Sequence, residues 1–174
     1  TVLKGSCTLT SVNVTKTFGD LNFVLDNVTT SSTGSYAFTS NPAGKVSINN
    51  TTSNTTILQA GTTIVSVTQY SDGNYESCTT SFNITIKKAD PIISAPDITK
   101  LYTDSDFSLS LASSSTGSIT YSTLSSGIVS ITNIGNVSII GAGTTIVSAT
   151  QAQDINYNSK TVTFTITVGQ GTQS

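Results

Sequence analysis

Ala60-Gly61-Thr62-Thr63-Ile64-Val65-Ser66-Val67-Thr68-Gln69 returns as Ala142-Gly143-Thr144-Thr145-Ile146-Val147-Ser148-Ala149-Thr150-Gln151. Nine of the ten positions are identical across a shift of 82 residues. That period is too long for a solenoid unit and fits one small β-domain. The stretch itself alternates: Thr63, Val65 and Val67 share one face of a strand, Ile64 and Ser66 the other. The chain is therefore expected to hold two related domains, residues 1–88 and 89–174, each large enough for its own core.

Outward from this strand the two halves keep one order. Phe23 and Leu25 correspond to Phe107 and Leu109, and Val46 and Ile48 to Val129 and Ile131. Asp72-Gly73-Asn74-Tyr75 corresponds to Asp154-Ile155-Asn156-Tyr157. Ser81–Ile86 corresponds to Thr163–Val168. Inward positions stay apolar while outward ones drift among Ser, Thr and Asn. In the first half, strands are expected at Thr8–Val14, Leu21–Leu25, Ser35–Thr39, Val46–Ile48, Thr55–Leu58, Thr62–Thr68 and Ser77–Lys87. Phe18-Gly19-Asp20, Asn41-Pro42-Ala43-Gly44 and Ser71–Asn74 are turns. No segment shows a helical period. Seven short strands at this spacing give an all-β fold of two tandem immunoglobulin-like Greek-key sandwiches. The junction Lys87-Lys88-Ala89-Asp90-Pro91 is short and ends in proline, which restrains it and predicts an end-to-end tandem with little bending. The tail over 169–174 is expected to be flexible or to link to a further element. With no starting Met or signal peptide, the chain reads as processed or excerpted.

Composition narrows the function. Only 9% of residues are charged, Ser and Thr make up about a third, and net charge is −2. The alternating Val, Ile, Phe and Tyr argue against disorder. All seven basic residues are Lys, so there is no basic face for nucleic acid. No apolar run is long enough for a membrane-spanning helix. A surface carried by hydroxyls predicts an extracellular location, at a cell or virion surface. Without His, neither a Ser-His nor a Cys-His nucleophile is available, and zinc lacks its usual ligands. The single Glu, Glu76, falls in a turn, which speaks against a carboxylate pair and against an adhesin-type Lys–Asn isopeptide bond. No enzyme, cofactor or metal is expected.

Gly44-Lys45-Val46-Ser47-Ile48, Ala60–Ile64 and Asp72–Tyr75, with their copies Gly127–Val129, Ala142–Ile146 and Asp154–Tyr157, carry a family resemblance. The chain resembles bacterial immunoglobulin-like repeat domains of group 2, strung on invasin- and intimin-like surface proteins. The resemblance covers both halves. It implies the sandwich fold and a role as spacer, stalk, adhesive tip or virion decoration.

Cys7 and Cys78 are the only cysteines. In a sandwich the first and last strands start at the same end, which predicts a disulfide closing a loop of about 70 residues, worth roughly 4 kcal/mol in the chain-entropy model. The alternatives are two unpaired core residues or a link between subunits. Asn-X-Ser/Thr triplets at Asn13, Asn27, Asn49, Asn50, Asn54, Asn83 and Asn136 are candidate N-glycosylation sites. A chain this rich in Asn, Ser and Thr produces several by chance, but Asn54 and Asn136 occupy matching positions. Asp104-Ser105-Asp106 with Asp97 reads as turn chemistry rather than a calcium site. Tyr75 and Tyr157 either stack on a sugar or cover the sandwich edge. Two functions follow: a structural module of a surface filament, stalk or virion fibre, expected to self-associate or to join neighbouring domains, or an adhesin module for a glycan or receptor.

Overall fold

The computed structural model describes residues 2–171. Among the described residues it is all-β, with nine strands in each of two compact units, Thr1–Ala89 and Asp90–Ser174. Residues 172–174 of the expected tail lie outside the described residues, and Gly169 closes the last strand.

Unit 1 contains β1 (Leu9–Ser11), β2 (Val14–Thr17), β3 (Phe23–Val24), β4 (Val28–Thr30), β5 (Tyr36–Asn41), β6 (Val46–Ile48), β7 (Asn54–Ile57), β8 (Gly61–Gln69) and β9 (Cys78–Lys87). One sheet has the order β2-β9-β8-β5. The facing layer is β3-β7-β6, with β1 paired to β4. Unit 2 repeats this with β10 (Ile93–Ser94), β11 (Ile98–Leu101), β12 (Phe107–Ser108), β13 (Ala112–Ser113), β14 (Ile119–Thr123), β15 (Val129–Ile131), β16 (Asn136–Ile139), β17 (Gly143–Gln151) and β18 (Lys160–Gly169). Its sheets are β11-β18-β17-β14, β12-β16-β15 and β10-β13.

The repeated stretch is β8 and β17, central in each large sheet. Alternation places Thr63, Val65 and Val67 inside with Phe82, Ile84 and Ile86 of β9. Thr145, Val147 and Ala149 meet Phe164, Ile166 and Val168 in the same way. Each fully buried Val or Ile contributes about 1.5–3 kcal/mol of gross transfer free energy. On the outer face, threonines opposite each other join hydroxyls: Thr62 with Thr85 and Thr68 with Thr79 at 3.2 Å, Thr144 with Thr167 at 3.2 Å, Thr150 with Thr161 at 2.9 Å. Gly61 and Gly143 open these strands at φ 130° and 142°, where an L side chain is strained. A Cβ on Gly143 would also sit 2.6 Å from Ile128 Cδ1.

The expected first strand, Thr8–Val14, covers β1 and only the first residue of β2, and the two lie in different sheets. β1 runs antiparallel to β4, whereas β2 runs parallel to β9. At the crossing, Asn27 Nδ2 donates to Val12 O at 2.6 Å, and Asn83 N donates to Asn13 Oδ1 at 2.8 Å. The side-chain oxygen takes a backbone donor that the strand ladder leaves over. In unit 2, Pro96 has no N–H to continue a ladder, and Thr165 N donates to Asp97 Oδ1 at 2.7 Å. The expected second strand over Leu21–Leu25 shrinks to Phe23–Val24, and Val28–Thr30 forms a further strand that the sequence reading leaves unassigned.

Ile166→Ala is expected to destabilise unit 2 by about 2–5 kcal/mol, because Ile166 is fully buried. Thr163→Ala, on the outward face of the same strand, should stay within about 0.5 kcal/mol. Urea denaturation of the two variants measures the contrast.

Candidate functional site

The densest polar chemistry in each unit lies at one pole, around the last residue of the repeated stretch. Gln69 ends β8 fully buried. Its Nε2 donates to Ser32 O and Gly34 O, both at 3.0 Å. Thr30 Oγ1 donates to its Oε1. Ser32 Oγ donates to Asp72 Oδ2 at 2.9 Å, and Thr33 adds its backbone N–H at 2.9 Å and its hydroxyl at 3.0 Å. Asn74 N and Tyr75 N each donate to Asp72 Oδ1 at 2.7 Å. The loop between β4 and β5 is thus tied to the turn between β8 and β9.

Unit 2 builds the same knot. Gln151 Nε2 reaches Ser115 O at 3.0 Å and Gly117 O at 2.9 Å, while Ser113 Oγ donates to Oε1. Asp154 accepts from Ser115, Thr116, Asn156 and Tyr157. The loops approach so closely that only glycine fits. A Cβ on Gly34 would lie 1.9 Å from Tyr70 O, and one on Gly117 would lie 1.9 Å from Ala152 O.

These hydrogen bonds hold both carboxyls well below the usual range. For Asp72 the leading cause is the backbone N–H of Asn74, and for Asp154 that of Thr116. Asp97 is lowered by its bond from Thr165 N. Asp20 and Asp104 also cap turns, accepting from Thr17 N at 2.8 Å and Leu101 N at 2.9 Å. Asp106 accepts from Ser138 Oγ at 2.7 Å. Among the described residues, no three His, Cys, Asp or Glu side chains gather to hold a metal.

Cys7 and Cys78 form a disulfide, with Cα atoms 5.7 Å apart. The bridge fastens the segment ahead of β1 to the start of β9. Gly5 adds backbone bonds to the same turn, from its N–H to Asn74 O at 2.7 Å and from Glu76 N to its carbonyl at 3.0 Å. Tyr75 lies against Gly5 there. In unit 2, β18 begins with Lys160 where β9 begins with Cys78, each paired with the knot glutamine. Pro91 precedes β10 as Cys7 precedes β1. Lys160 Nζ donates to Pro91 O at 2.9 Å. One location thus carries a covalent bond in unit 1 and a hydrogen bond in unit 2.

The structure groups the glycosylation triplets of unit 1: Asn13 is bonded to Asn83, with Asn27 bonded to neighbouring Val12, and Asn49, Asn50 and Asn54 share one turn, while Asn136 lies in unit 2. Asn13, Asn49, Asn50, Asn54, Asn83 and Asn136 are exposed, whereas Asn27 is half-buried. Asn13, Asn49, Asn50 and Asn136 use Oδ1 as acceptor, from Asn83 N, the Thr51 and Thr52 N–H groups, Phe38 N and Ser108 Oγ respectively. A sugar on Nδ2 leaves those bonds intact. Asn27 commits Nδ2 to Val12 O, and its Oδ1 is buried without a partner.

No family model matches the chain, and no curated protein sequence matches it. Solved structures match in architecture. Mouse protocadherin-24 EC1-3 aligns at 13% identity and TM-score 0.37, over 91% of this chain and 62% of that one. The insect immune protein hemolin aligns at 16% and 0.49, over 92% and 45%. Domains 1–6 of the surface layer protein SbsC align at 16% and 0.39, over 84% and 22%. The chain thus spans under two thirds of each of these proteins. Among the described residues no helix is long and apolar enough to cross a membrane.

Sequence reasoning misses Gln69 and Gln151, although their place in the alternation after Val67 and Ala149 puts them on the inward face. Gln151→Ala is expected to cost about 3 kcal/mol or more, because Ser115 O and Gly117 O lose buried donors and a cavity opens. Calorimetry reads this. The carboxyl pKa values are lower folded than unfolded. Their contribution is therefore present above the ordinary carboxylate range and is lost as pH falls through and below it. From about pH 7 to about pH 2, the native chain should lose melting temperature more steeply than the Asp72→Asn, Asp154→Asn double variant.

Proposed function

We propose that the chain is a non-enzymatic structural module of an extracellular assembly, a surface filament, stalk or virion fibre subunit. One observation carries this reading. The buried Gln69 and Gln151, with the partly exposed Asp72 and Asp154 beside them, are engaged in backbone hydrogen bonds that lock loops. Their chemistry serves rigidity. Sheet faces of paired threonine hydroxyls, nearly free of charge, suit an extracellular surface and stay solvated without a strong field. Within this reading the chain belongs with bacterial immunoglobulin-like repeats of the invasin/intimin type and associates with itself or with neighbouring domains of a longer surface protein. It uses no cofactor, binds no nucleic acid and inserts in no membrane.

A second reading, an adhesin module for a glycan or a cell-surface receptor, has its own observation. At one end of unit 2, Tyr102, Ile140, Gly141, Ala142, Gln170 and Gly171 line an open cavity of about 510 Å³. Tyr102 and Ile140 are about half exposed. An aromatic ring beside an open polar rim is a platform on which a sugar stacks.

Electron microscopy of native material separates the two. Repeated subunit contacts support the structural module. Monomeric particles whose glycan-array signal is lost in Tyr102→Ala support the adhesin.

The exposed triplets are proposed N-glycosylation sites in a host that modifies Asn, with Asn54 and Asn136 as the matched pair. Asn27 is the triplet that the fold opposes, since its half-buried Nδ2 is held against Val12 O at 2.6 Å, which crowds a sugar on that nitrogen. Peptide mapping by mass spectrometry of secreted, folded protein should find sugar at Asn54 and Asn136 and none at Asn27.

A further inference from the structure

We infer that the Cys7–Cys78 bridge is a tension bypass, which carries pulling force around unit 1 and leaves unit 2 as the extensible element. The inference rests on the structural-module proposal and follows from connectivity. Force from residues ahead of Cys7 reaches the disulfide first. It crosses to Cys78, runs along β9 to Lys87 and passes to Asp90. Strands β1–β8 lie in the loop closed by the bond and are off the covalent path.

The work that force does on a fold is force times the extension it releases. β9 is a ten-residue strand already extended at about 3.3–3.4 Å per residue. A fully stretched chain reaches only about 3.6 Å per residue. Pulling on oxidised unit 1 therefore releases almost no length, and force has no lever to unfold it.

Unit 2 has the same architecture without the bypass. At the matching position Lys160 Nζ holds Pro91 O through one hydrogen bond, with Asn158 Nδ2 on Asp90 Oδ1 at 2.8 Å beside it. Behind these, β11 lies parallel to β18 over four paired residues. Pulled from the start of β11 and the end of β18, a parallel pair is loaded in shear, so its bonds bear force together. When they part, the whole unit is free to extend. Under load the two units thus behave differently. Unit 1 transmits tension rigidly, and unit 2 absorbs an overload.

Single-molecule force extension of the full chain, held by handles at both ends, tests this. The oxidised chain should unfold in one large step of about 230 Å, from roughly 3.4 Å per residue over Ile93–Gly169 less the roughly 34 Å that ten-residue β18 already spans. With a reductant, or in the Cys7→Ser, Cys78→Ser variant, a second step should appear. The length uncovered is about 235 Å, from roughly 3.4 Å per residue over the 71-residue separation that the bond closes, less the 5.7 Å between its Cα atoms. The oxidised Pro91→Cys, Lys160→Cys variant should carry the bypass into unit 2 and show no large step. Two large steps in the oxidised native chain would overturn the inference. So would a reduced chain that still gives one step, or one whose unit 1 is unfolded before force is applied, since the bond would then serve stability alone. The force traces come from isolated chains, so a native material without filaments would remove the structural-module proposal and leave the bypass standing.

Discussion

A buried primary amide is the constraint on which each unit turns. Gln69 and Gln151 sit in the core, where two N–H donors and a carbonyl must all be answered or cost several kcal/mol. The answers come from the loop leading into β5 or β14, whose carbonyls at Ser32 and Gly34, or Ser115 and Gly117, point inward. To present them, the loop must pack so tightly that Gly34 and Gly117 admit no side chain. The aspartate three residues beyond each glutamine then fastens the outer side of the same loop. Central strand, loop and turn close as one polar unit, and the apolar layers beneath inherit their spacing from it.

Charge is used sparingly and locally. Asp20, Asp72, Asp97, Asp104 and Asp154 all accept backbone N–H groups left over at turns and crossings. Each carboxylate replaces a strand partner where the ladder stops. Little charge remains for the sheet faces, which present hydroxyls paired across strands. Such a surface gives weak long-range attraction, so any assembly it makes depends on shape and short-range bonds more than on steering.

How much of this is legible in the sequence varies by element. β8, β9, β17 and β18 are plain, because both faces of a long central strand constrain its alternation. The edge strands are not. The sequence runs β1 on to Val14 without a break, since the crossing at Val12–Asn13 rests on contacts with Asn27 and Asn83, distant in sequence. β4 goes unassigned in the sequence, because Val28-Thr29-Thr30 is too short to show an alternation by itself, and it pairs with β1. The knot is half legible. Asp72 and Asp154 read correctly as turn residues, while Gln69 and Gln151 look like polar ends of strands, although parity with Val65 and Val67 points them inward. Asn27 and Asn54 carry the same kind of triplet, and only the fold separates the half-buried one from the exposed one.

The copies are most informative where they part. Core and knot positions are nearly interchangeable, so divergence there would risk folding for little gain. The pole where the chain enters each unit is different. Cys7 and Cys78 in one copy, Pro91 and Lys160 in the other, solve the same problem of holding the entering segment to the last strand. Unit 2 reaches the same fold without a bridge, so this architecture does not require one. Unit 1 carries one all the same, at the point where tension would enter the last strand. Stability alone gives no reason for that placement, since a cross-link closing a loop of similar length elsewhere would restrict the unfolded chain as much. Placement between the entering segment and the exiting strand matters when force is transmitted along the chain, because only there does a covalent bond take the fold out of the load path.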